Sequence, residues 1–323
     1  MDSLTFEDSI VVVTGATGTV GSSMVKHLID YKPGEIRAFD NNESDVFLLG
    51  EKYRETGIVT PFLGDVRDVY KLEQVLEGAD IVYHLAAFKH VNLAEYNPFD
   101  TVQTNILGVQ NVIKAALKCR VKRVLFTSSD KAVNPTSVMG TTKLMGERLI
   151  TAANIIRRTG ETILASCRFG NILGSRGSIM SISEATELIV NVLFQAKGGE
   201  VFIPKMPNIQ ITDLAKALID LLAPEYGHDP EKIKITYIGT KPGEKMYEEL
   251  MNQEETSRSI ELHDMFVTLP AFRLMYRNVE YTYPDQVRSK VDKPYTSASE
   301  RTMSLEGLKK FLETSGVFDG LVL

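Results

Sequence analysis

A β-branched run, Ser9-Ile10-Val11-Val12-Val13, passes without a break into Thr14-Gly15-Ala16-Thr17-Gly18-Thr19-Val20-Gly21, and a helix-forming stretch follows to Asp30. T-G-x-x-G-x-x-G with a strand before it and a helix after it leaves a chain few folds to choose from. Glycines permit the tight turn and let backbone N–H groups approach a pyrophosphate at the helix N-terminus. The glycine pattern alone is a weak signal, and its flanks make it a strong one. It predicts an α/β fold of Rossmann type, a doubly wound parallel sheet. Gly15, Thr17, Gly18, Thr19, Val20 and Gly21 would then line a dinucleotide.

The next segments extend that pattern. Glu35 to Phe39 reads as a second strand ending at Asp40, nineteen residues after Gly21. A carboxylate there hydrogen-bonds both ribose hydroxyls and repels a 2′-phosphate, so NAD is favoured over NADP. Asn41-Asn42-Glu43 supplies no basic residue for that phosphate; the plain alternative is that Asp40 only caps the next helix. Val59 to Leu63 reads as strand three, followed by Asp65 and Val66, which can hold an adenine edge, and by Asp68, which serves equally well as the N-cap of a helix over Tyr70–Leu76. Strand four, Ile81 to Leu85, runs into Ala86-Ala87, where small side chains let a cofactor lie against the backbone. His84 lies inside that strand and is better read as a core histidine. Lys89 and His90 on the following loop suit a phosphate or a substrate, or are a solvated pair. A long amphipathic helix is expected over Pro98–Leu117; its polar Asn105, among Val102, Ile106, Val109 and Val112, demands a buried partner in a loop or near a functional lysine.

Thr127 to Lys143 concentrates the chemistry. The apolar run Val124-Leu125-Phe126 is a buried strand that would deliver Ser128, Ser129, Asp130 and Lys131 at its carboxyl end, the edge where open α/β sheets bind ligands. Asn134-Pro135 breaks the backbone, and a helix over Met139–Ile150 places Met139 and Lys143 on one face. An acid beside an amine, with a second lysine facing the same cleft, can serve redox and proton transfer together. The plain alternative for Asp130-Lys131 is a salt-bridged surface loop.

Beyond strand six, Thr162 to Arg168, a glycine-rich crossing breaks the βα alternation. It suggests a nucleotide-binding domain over 1–175 and a smaller, interleaved substrate domain over 176–323, with the chain rejoining the first near 205–225. Helices are expected at Ser183–Gln195 and Thr212–Leu222, a strand at Ile233–Ile238, a helix from Lys241, and a capped helix after Ser304.

Composition narrows the partners. A chain of 323 residues with a formal net charge of −6 does not suit a nucleic-acid surface, yet leaves room for a small anionic ligand. Its two cysteines, Cys119 and Cys167, have no metal-ligand spacing and suit a reducing compartment. No apolar run reaches membrane-spanning length, and Met1-Asp2-Ser3 does not begin a secretion signal. The expectation is a soluble cytoplasmic protein without metal, membrane or nucleic-acid partner.

Together these residues resemble the extended short-chain dehydrogenase/reductases that modify nucleotide sugars. More narrowly, several segments are similar to UDP-N-acetylglucosamine 4,6-dehydratases: Phe88-Lys89-His90-Val91, Ser129 to Pro135, Val138-Met139-Gly140-x-Thr142-Lys143, Arg168-Phe169-Gly170-Asn171, Gly174-Ser175-Arg176-Gly177 and Pro242-Gly243-Glu244-Lys245. The likeness runs from Val11 to about Leu250 and weakens beyond.

The resemblance implies NAD bound by the glycine turn with Asp40, Asp65, Val66, Leu85, Ala86, Ala87, Lys89, Asn105 and Lys143. It implies a UDP-sugar held by Lys89, His90, Ser128, Ser129, Asn171, Arg176 and Glu244. The reaction would oxidise C4, eliminate water across C5 and C6, and return the hydride to C6. Much of the superfamily has a tyrosine base where this chain has Met139, which accepts no proton. The resemblance therefore implies Asp130 as acid for the C6 hydroxyl, serving C4 as well, and Lys131 as C5 base; a neutral Lys131 requires burial or a cationic neighbour. Lys143 would bind the nicotinamide ribose, and Ser128 and Ser129 the C4 oxygen.

Lys89-His90-Val91, Val133 to Thr136 and Asp40 are closer to the group that retains configuration at C5. After Ser178, relatives continue with a substrate-covering segment, whereas this chain passes directly to Ile179-Met180-Ser181. Either the segment is absent from the protein or a mobile stretch is missing from the sequence; the second is favoured, because lids that order only with substrate are the segments usually lost. Competing readings are a nucleotide-sugar 4-epimerase, which would not need Lys131, and a non-catalytic NAD-binding protein on the same fold. The resemblance also implies a homodimer or larger assembly, paired through Pro98–Leu117 and Met139–Ile155.

Overall fold

The computed structural model describes residues 4–156, 162–171, 180–239, 245, 247–272, 276 and 279–314. Seven strands are parallel: β1 (Ile10–Thr14), β2 (Glu35–Asp40), β3 (Val59–Leu63), β4 (Ile81–His84), β5 (Arg123–Ser129), β6 (Ile163–Phe169) and β7 (Val201–Pro204). They lie in the order β3-β2-β1-β4-β5-β6-β7, so the winding reverses between β1 and β4. Ligands bind outside the carboxyl ends of strands at such a switch point. The near-continuous apolar sequences of β1, β4 and β5 follow from burial on both faces.

On one face lie α1 (Thr19–Asp30) and α8 (Ile182–Gln195), packing Met24, Leu28, Ile189 and Leu193 onto the sheet. The other face carries α3 (Val69–Leu76), α6 (Val109–Lys118) and α7 (Val138–Ile156), with Leu72, Val112 and Ile150 in its core. The peripheral helices are α2 (Glu43–Tyr53), α4 (Val91–Tyr96), α5 (Pro98–Val102), α9 (Ile211–Leu222), α10 (Gln253–Thr256) and α11 (Leu305–Thr314). The strands β9 (Ser259–Leu262), β10 (Met265–Thr268) and β11 (Gln286–Arg288) extend the sheet antiparallel beyond β7. A separate pair, β8 (Glu249–Met251) and β12 (Tyr295–Thr296), lies near the end of the chain.

Two expectations and one plain alternative are corrected. The helix over Pro98–Leu117 is not uniform: α5 and α6 are joined by a π-helical segment, Gln103–Gly108, which contains Asn105. The alternating Ile233–Ile238 segment forms no strand among the described residues. Ile233, Ile235, Tyr237 and Ile238 are exposed, and alternation supplies only a propensity that a pairing partner must complete. Asp40 does not cap the helix after β2: Asn42 does, accepting from Asp45 N at 3.3 Å. Asp68 is the N-cap of α3, accepting from Tyr70 N and Lys71 N at 3.0 Å. Lys241–Glu244 lie outside the described residues.

Candidate active site

The glycine turn sits at the switch point. Gly15 adopts φ +72°, and a Cβ there would lie 2.6 Å from Ala86 N. Only glycine lets the turn pass this close to the residues following β4. Gly18 starts α1 with no side-chain cap, and no acidic residue stands in the first turn. The helix dipole and the amides of Thr19, Val20 and Gly21 there favour an anion. Thr17 N donates to the Asp40 carboxylate at 3.0 Å, and Asn41 N donates to its other oxygen at 2.8 Å. That carboxylate is thus aimed across the turn from the end of β2. Asp65 pairs with Arg67 at 2.6 Å; desolvation pushes its carboxyl up, but Arg67 and Asn41 outweigh that and leave it below its ordinary value. Val66 is buried, its carbonyl accepting from Asn111 Nδ2 at 3.1 Å.

After β4 the chain runs through Leu85, Ala86 and Ala87 to an exposed Lys89 and His90. Asn105 fixes this loop. Its Oδ1 accepts from Phe88 N at 2.8 Å, and its Nδ2 donates to Phe88 O and to Thr142 Oγ1, both at 3.0 Å. The buried partner demanded by the sequence is therefore a loop backbone and the helix that carries the functional lysine. Asn105 binds the frame of the site.

Lys143 lies on α7, buried, its Nζ donating to Thr127 O at 2.9 Å. Burial pushes its ammonium down to about 8, against the pull of Glu147. His84 is fully buried and hydrogen-bonded to Thr14 Oγ1 at 2.7 Å; burial, with the charge of Lys143, lowers it to about 3 and keeps it neutral. It is a core histidine. Met139 is buried one turn before Lys143.

Ser128, Ser129, Asp130 and Lys131 emerge where β5 gives way to a 3-10 turn, Asp130–Ala132. The Asp130 carboxylate accepts from Ser129 Oγ at 2.6 Å and from Lys131 Nζ at 3.0 Å. The Asp130 side chain is 2% exposed against 31% for Lys131, so the acid is inside and the amine opens toward the cleft. Lys131 Nζ also donates to Asn171 Oδ1 at 3.1 Å. Ser128 Oγ is buried with no hydrogen-bond partner among the described residues. Gly140 lets α7 start against this turn, since a Cβ there would stand 2.2 Å from Lys131 O.

Glu248 is the member that sequence reasoning missed. Asn171 Nδ2 donates to Glu248 Oε1 at 2.7 Å, and the Glu248 carboxyl hydrogen-bonds Asp130. Burial and the adjacent Asp130 charge push Glu248 up to about 8. Desolvation also pushes Asp130 up, but the bonds from Glu248 and Ser129 and the Lys131 charge win, leaving it below its ordinary value.

Two contacts bring the distant Glu248 here. Buried Arg168 on β6 donates to both oxygens of Glu147 on α7 (2.9 and 2.7 Å), to both oxygens of Glu255 on α10 (2.9 Å each), and to Leu250 O on β8 (2.8 Å). Lys245 Nζ donates to Val133 O at 2.6 Å, and Asn134 Nδ2 to Glu249 Oε2 at 2.9 Å. Arg176 and Glu244, also expected at the substrate, lie outside the described residues.

A dinucleotide-type glycine turn after β1 and an acid–amine pair after β5, on one parallel sheet, define a Rossmann-type fold with a candidate active site. The chain belongs to the polysaccharide biosynthesis protein family, which matches residues 11–181 and 179–270. The two matches meet at residues 179–181, just after Ser178. The chain is 38% identical to Pen from Bacillus thuringiensis, with a TM-score of 0.87 over 96% of this chain and 98% of that one. It is 40% identical to an uncharacterized membrane protein of Methanocaldococcus jannaschii (95% and 96% covered). No helix among the described residues of this chain is long and apolar enough to cross a membrane. It is 32% identical to an inverting UDP-N-acetylglucosamine 4,6-dehydratase of Campylobacter jejuni (86% and 87% covered). It is 31% identical to a UDP-glucose 4-epimerase of Rickettsia canadensis (96% of each). The family is thus one of nucleotide-sugar dehydratases and epimerases.

Proposed function

We propose that this chain is an NAD-dependent UDP-N-acetylglucosamine 4,6-dehydratase. The observation that carries the reading is the Asp130–Lys131 pair at the carboxyl end of β5, one strand from the switch point, with Met139 and Lys143 one turn apart on α7. An epimerase has no use for an acid–base pair beyond C4.

The residues present fit the cofactor. A Cβ at Gly15 would fill the cradle between turn and Ala86, the uncapped start of α1 suits a pyrophosphate, and Asp40 suits a ribose diol. NAD, when bound, would supply a hydride acceptor for C4 and a hydride donor for C6. Lys143 holds the nicotinamide ribose, and Ser128, with its hydroxyl unsatisfied, meets the C4 oxygen. The Asp130 carboxylate accepts the C4 hydroxyl proton and hands it to the C6 oxygen, which departs as water. Lys131, with its amine neutral, takes the C5 proton and, after its ammonium has exchanged with solvent, delivers a proton to C5. In this reading the chain to about residue 175 holds NAD, and the remainder, rejoined near 205–225, holds the UDP-sugar, with Asn171 beside the reacting carbons.

The likeness to the Campylobacter enzyme supports the substrate; retention at C5 is the outcome the sequence motifs favour, although that relative is named as inverting. Exposed Tyr96, Phe99, Leu107 and Met145 on the helical face of α4 to α7 support a homodimer.

Incubation with UDP-N-acetylglucosamine in deuterated water tests the reading. A 4-keto-6-deoxy product with a solvent deuteron at C5 is expected, and its C5 coupling reads retention or inversion. Formation of the C4 epimer alone would transfer the chain to the epimerases.

A further inference from the structure

Residues that follow two neighbouring parallel strands at equal register stand side by side. Ser129 on β5 pairs with Phe169 on β6, and two residues beyond them come Lys131 and Asn171. Their side chains meet, Lys131 Nζ donating to Asn171 Oδ1 at 3.1 Å. The same amine donates to Asp130 Oδ2 at 3.0 Å. Asp130 offers it a charge, whereas the neutral amide offers only a direction.

We propose that Asn171 is a positioning residue for Lys131, holding an N–H of the amine so that its lone pair turns toward C5 of the sugar. This role rests on the dehydratase reading and deepens it.

An amine nitrogen is tetrahedral. When Lys131 is neutral it has two N–H bonds, and Asp130 and Asn171 accept from both. The lone pair then takes the remaining position, turned away from the two acceptors. Asp130 is buried and Lys131 partly exposed, so that position lies on the open side of the pair. There the nitrogen takes the C5 proton, and the electron pair of the C5–H bond passes toward the C4 ketone as the C6 oxygen departs. Without Asn171 the amine loses a contact that fixes its rotation about the Asp130 bond.

The amide is itself oriented from its other end. Asn171 Nδ2 donates to Glu248 Oε1 at 2.7 Å, and a flipped amide would set its NH2 group against the Lys131 ammonium. Glu248 is seated by Ser297: Glu248 N donates to Ser297 Oγ at 2.9 Å, and Ser297 N to Glu248 O at 2.8 Å. Gly170 N donates to Met206 Sδ at 3.1 Å, which pins the backbone one residue before Asn171. Residues late in the chain thereby reach the base through one amide. The charged groups around this strand end are Asp130 in the turn, Lys143 on α7, and Glu248 with the Lys245–Glu249 pair from the segment leading into β8.

Two variants of the NAD-loaded protein, turning over UDP-N-acetylglucosamine, test the role. Asn171→Ala removes the contact, and Asn171→Asp keeps an oxygen of the same shape at the amine while adding a charge. Absorbance of the reduced cofactor reports C4 oxidation, and deuterium at C5 of the substrate reports the step of the base. We expect N171A to lose about ten-fold or more in kcat at every pH, with KM little changed. Reduced cofactor should accumulate in it, and the C5 isotope effect on kcat should grow. N171D should be slow near pH 7 and recover toward the wild type as pH rises, because the added carboxylate holds Lys131 as an ammonium. A wild-type rate and isotope effect in N171A, a failure of N171A to oxidise C4, or an N171D as slow as N171A at every pH would each overturn the proposal.

If the wild type dehydrates no UDP-sugar, the functional reading fails by itself. The pairing is then decided by ¹⁵N NMR of lysine-labelled protein, with Lys131→Met assigning the signal. A Lys131 signal that titrates higher in N171D and exchanges its protons faster in N171A supports the pairing. A signal indifferent to both substitutions overturns it.

Discussion

Asn105 holds Phe88 by both of its backbone polar groups, accepting from Phe88 N at 2.8 Å and donating to Phe88 O at 3.0 Å. Its third bond, to Thr142, ties that loop to the helix bearing Lys143. One buried amide thus sets the distance between the loop after β4 and α7, which together flank the site.

Asn105→Ala leaves the amide groups of Phe88 without their partner in a buried setting. A loss of roughly 2–3 kcal/mol in unfolding free energy is expected. Urea titration checks it. The same variant should lose turnover even where it remains folded, because Lys89 and His90 hang on the released loop.

Arg168→Met breaks a buried cluster, taking from Glu147 and Glu255 the cation they share and leaving Glu255 only the longer pairing with Arg258 at 3.6 Å. The expected loss is about 3–5 kcal/mol. Its pH dependence has a definite sign. Desolvation pushes Glu255 up, but Arg168 outweighs it and holds the carboxyl below its ordinary value. Its contribution is therefore present above the unfolded pKa and is lost as pH falls through the folded one. Denaturation in the variant should be less steeply weakened by acid than in the wild type.

His84 and Lys143 are both bases depressed by burial, to about 3 and about 8. Where the unfolded chain binds a proton that the folded one does not, stability rises with pH. Stability should thus fall as pH drops from the ordinary histidine value toward 3, and rise as pH climbs past 8 toward the ordinary lysine value. His84→Gln should flatten the acid limb alone, whereas Lys143→Met should flatten the alkaline limb and, by removing a charge that depresses His84, soften the acid limb too, in unfolding curves measured across pH.

Gly140→Ala introduces a Cβ that would stand 2.2 Å from the Lys131 carbonyl, a backbone atom that can yield only if the turn moves. A displacement of this kind at the acid–base pair should cost about 10²-fold in kcat. The substitution should weaken NAD binding far less than it slows turnover, because the glycine turn that would hold the pyrophosphate lies elsewhere, although Lys143 is on the same helix. Equilibrium binding of NAD beside steady-state rates separates the two.

What could be read from the sequence was what neighbouring residues carry together. The glycine turn, Asp40 and the Asp130-Lys131 pair each lie within one strand-to-helix connection, so pattern and flanks were enough to place them. Asn105 was readable as a polar residue needing a partner, though not which partner. Glu248 left no local signal: in Tyr247-Glu248-Glu249-Leu250 it is one acid beside another, and only the folding of β8 toward the turn after β5 gives it a role. Arg168 was visible merely as part of a motif, since its two carboxylates come from separate helices. The segment Ile233–Ile238 erred the other way, with strand-like alternation and no strand beside it among the described residues.

The Arg168 cluster also sets an order of events during synthesis. Glu255 follows Arg168 by 87 residues, and Glu248 precedes it closely. A chain that has left the ribosome only through β7 already holds its glycine turn, Lys143 and the Asp130–Lys131 pair, but Arg168 then has Glu147 alone and Asp130 has no second carboxyl. Closing so long a loop is slow relative to forming the local turns. The growing protein can therefore present its glycine turn well before the Arg168 cluster that seats Glu248 is complete.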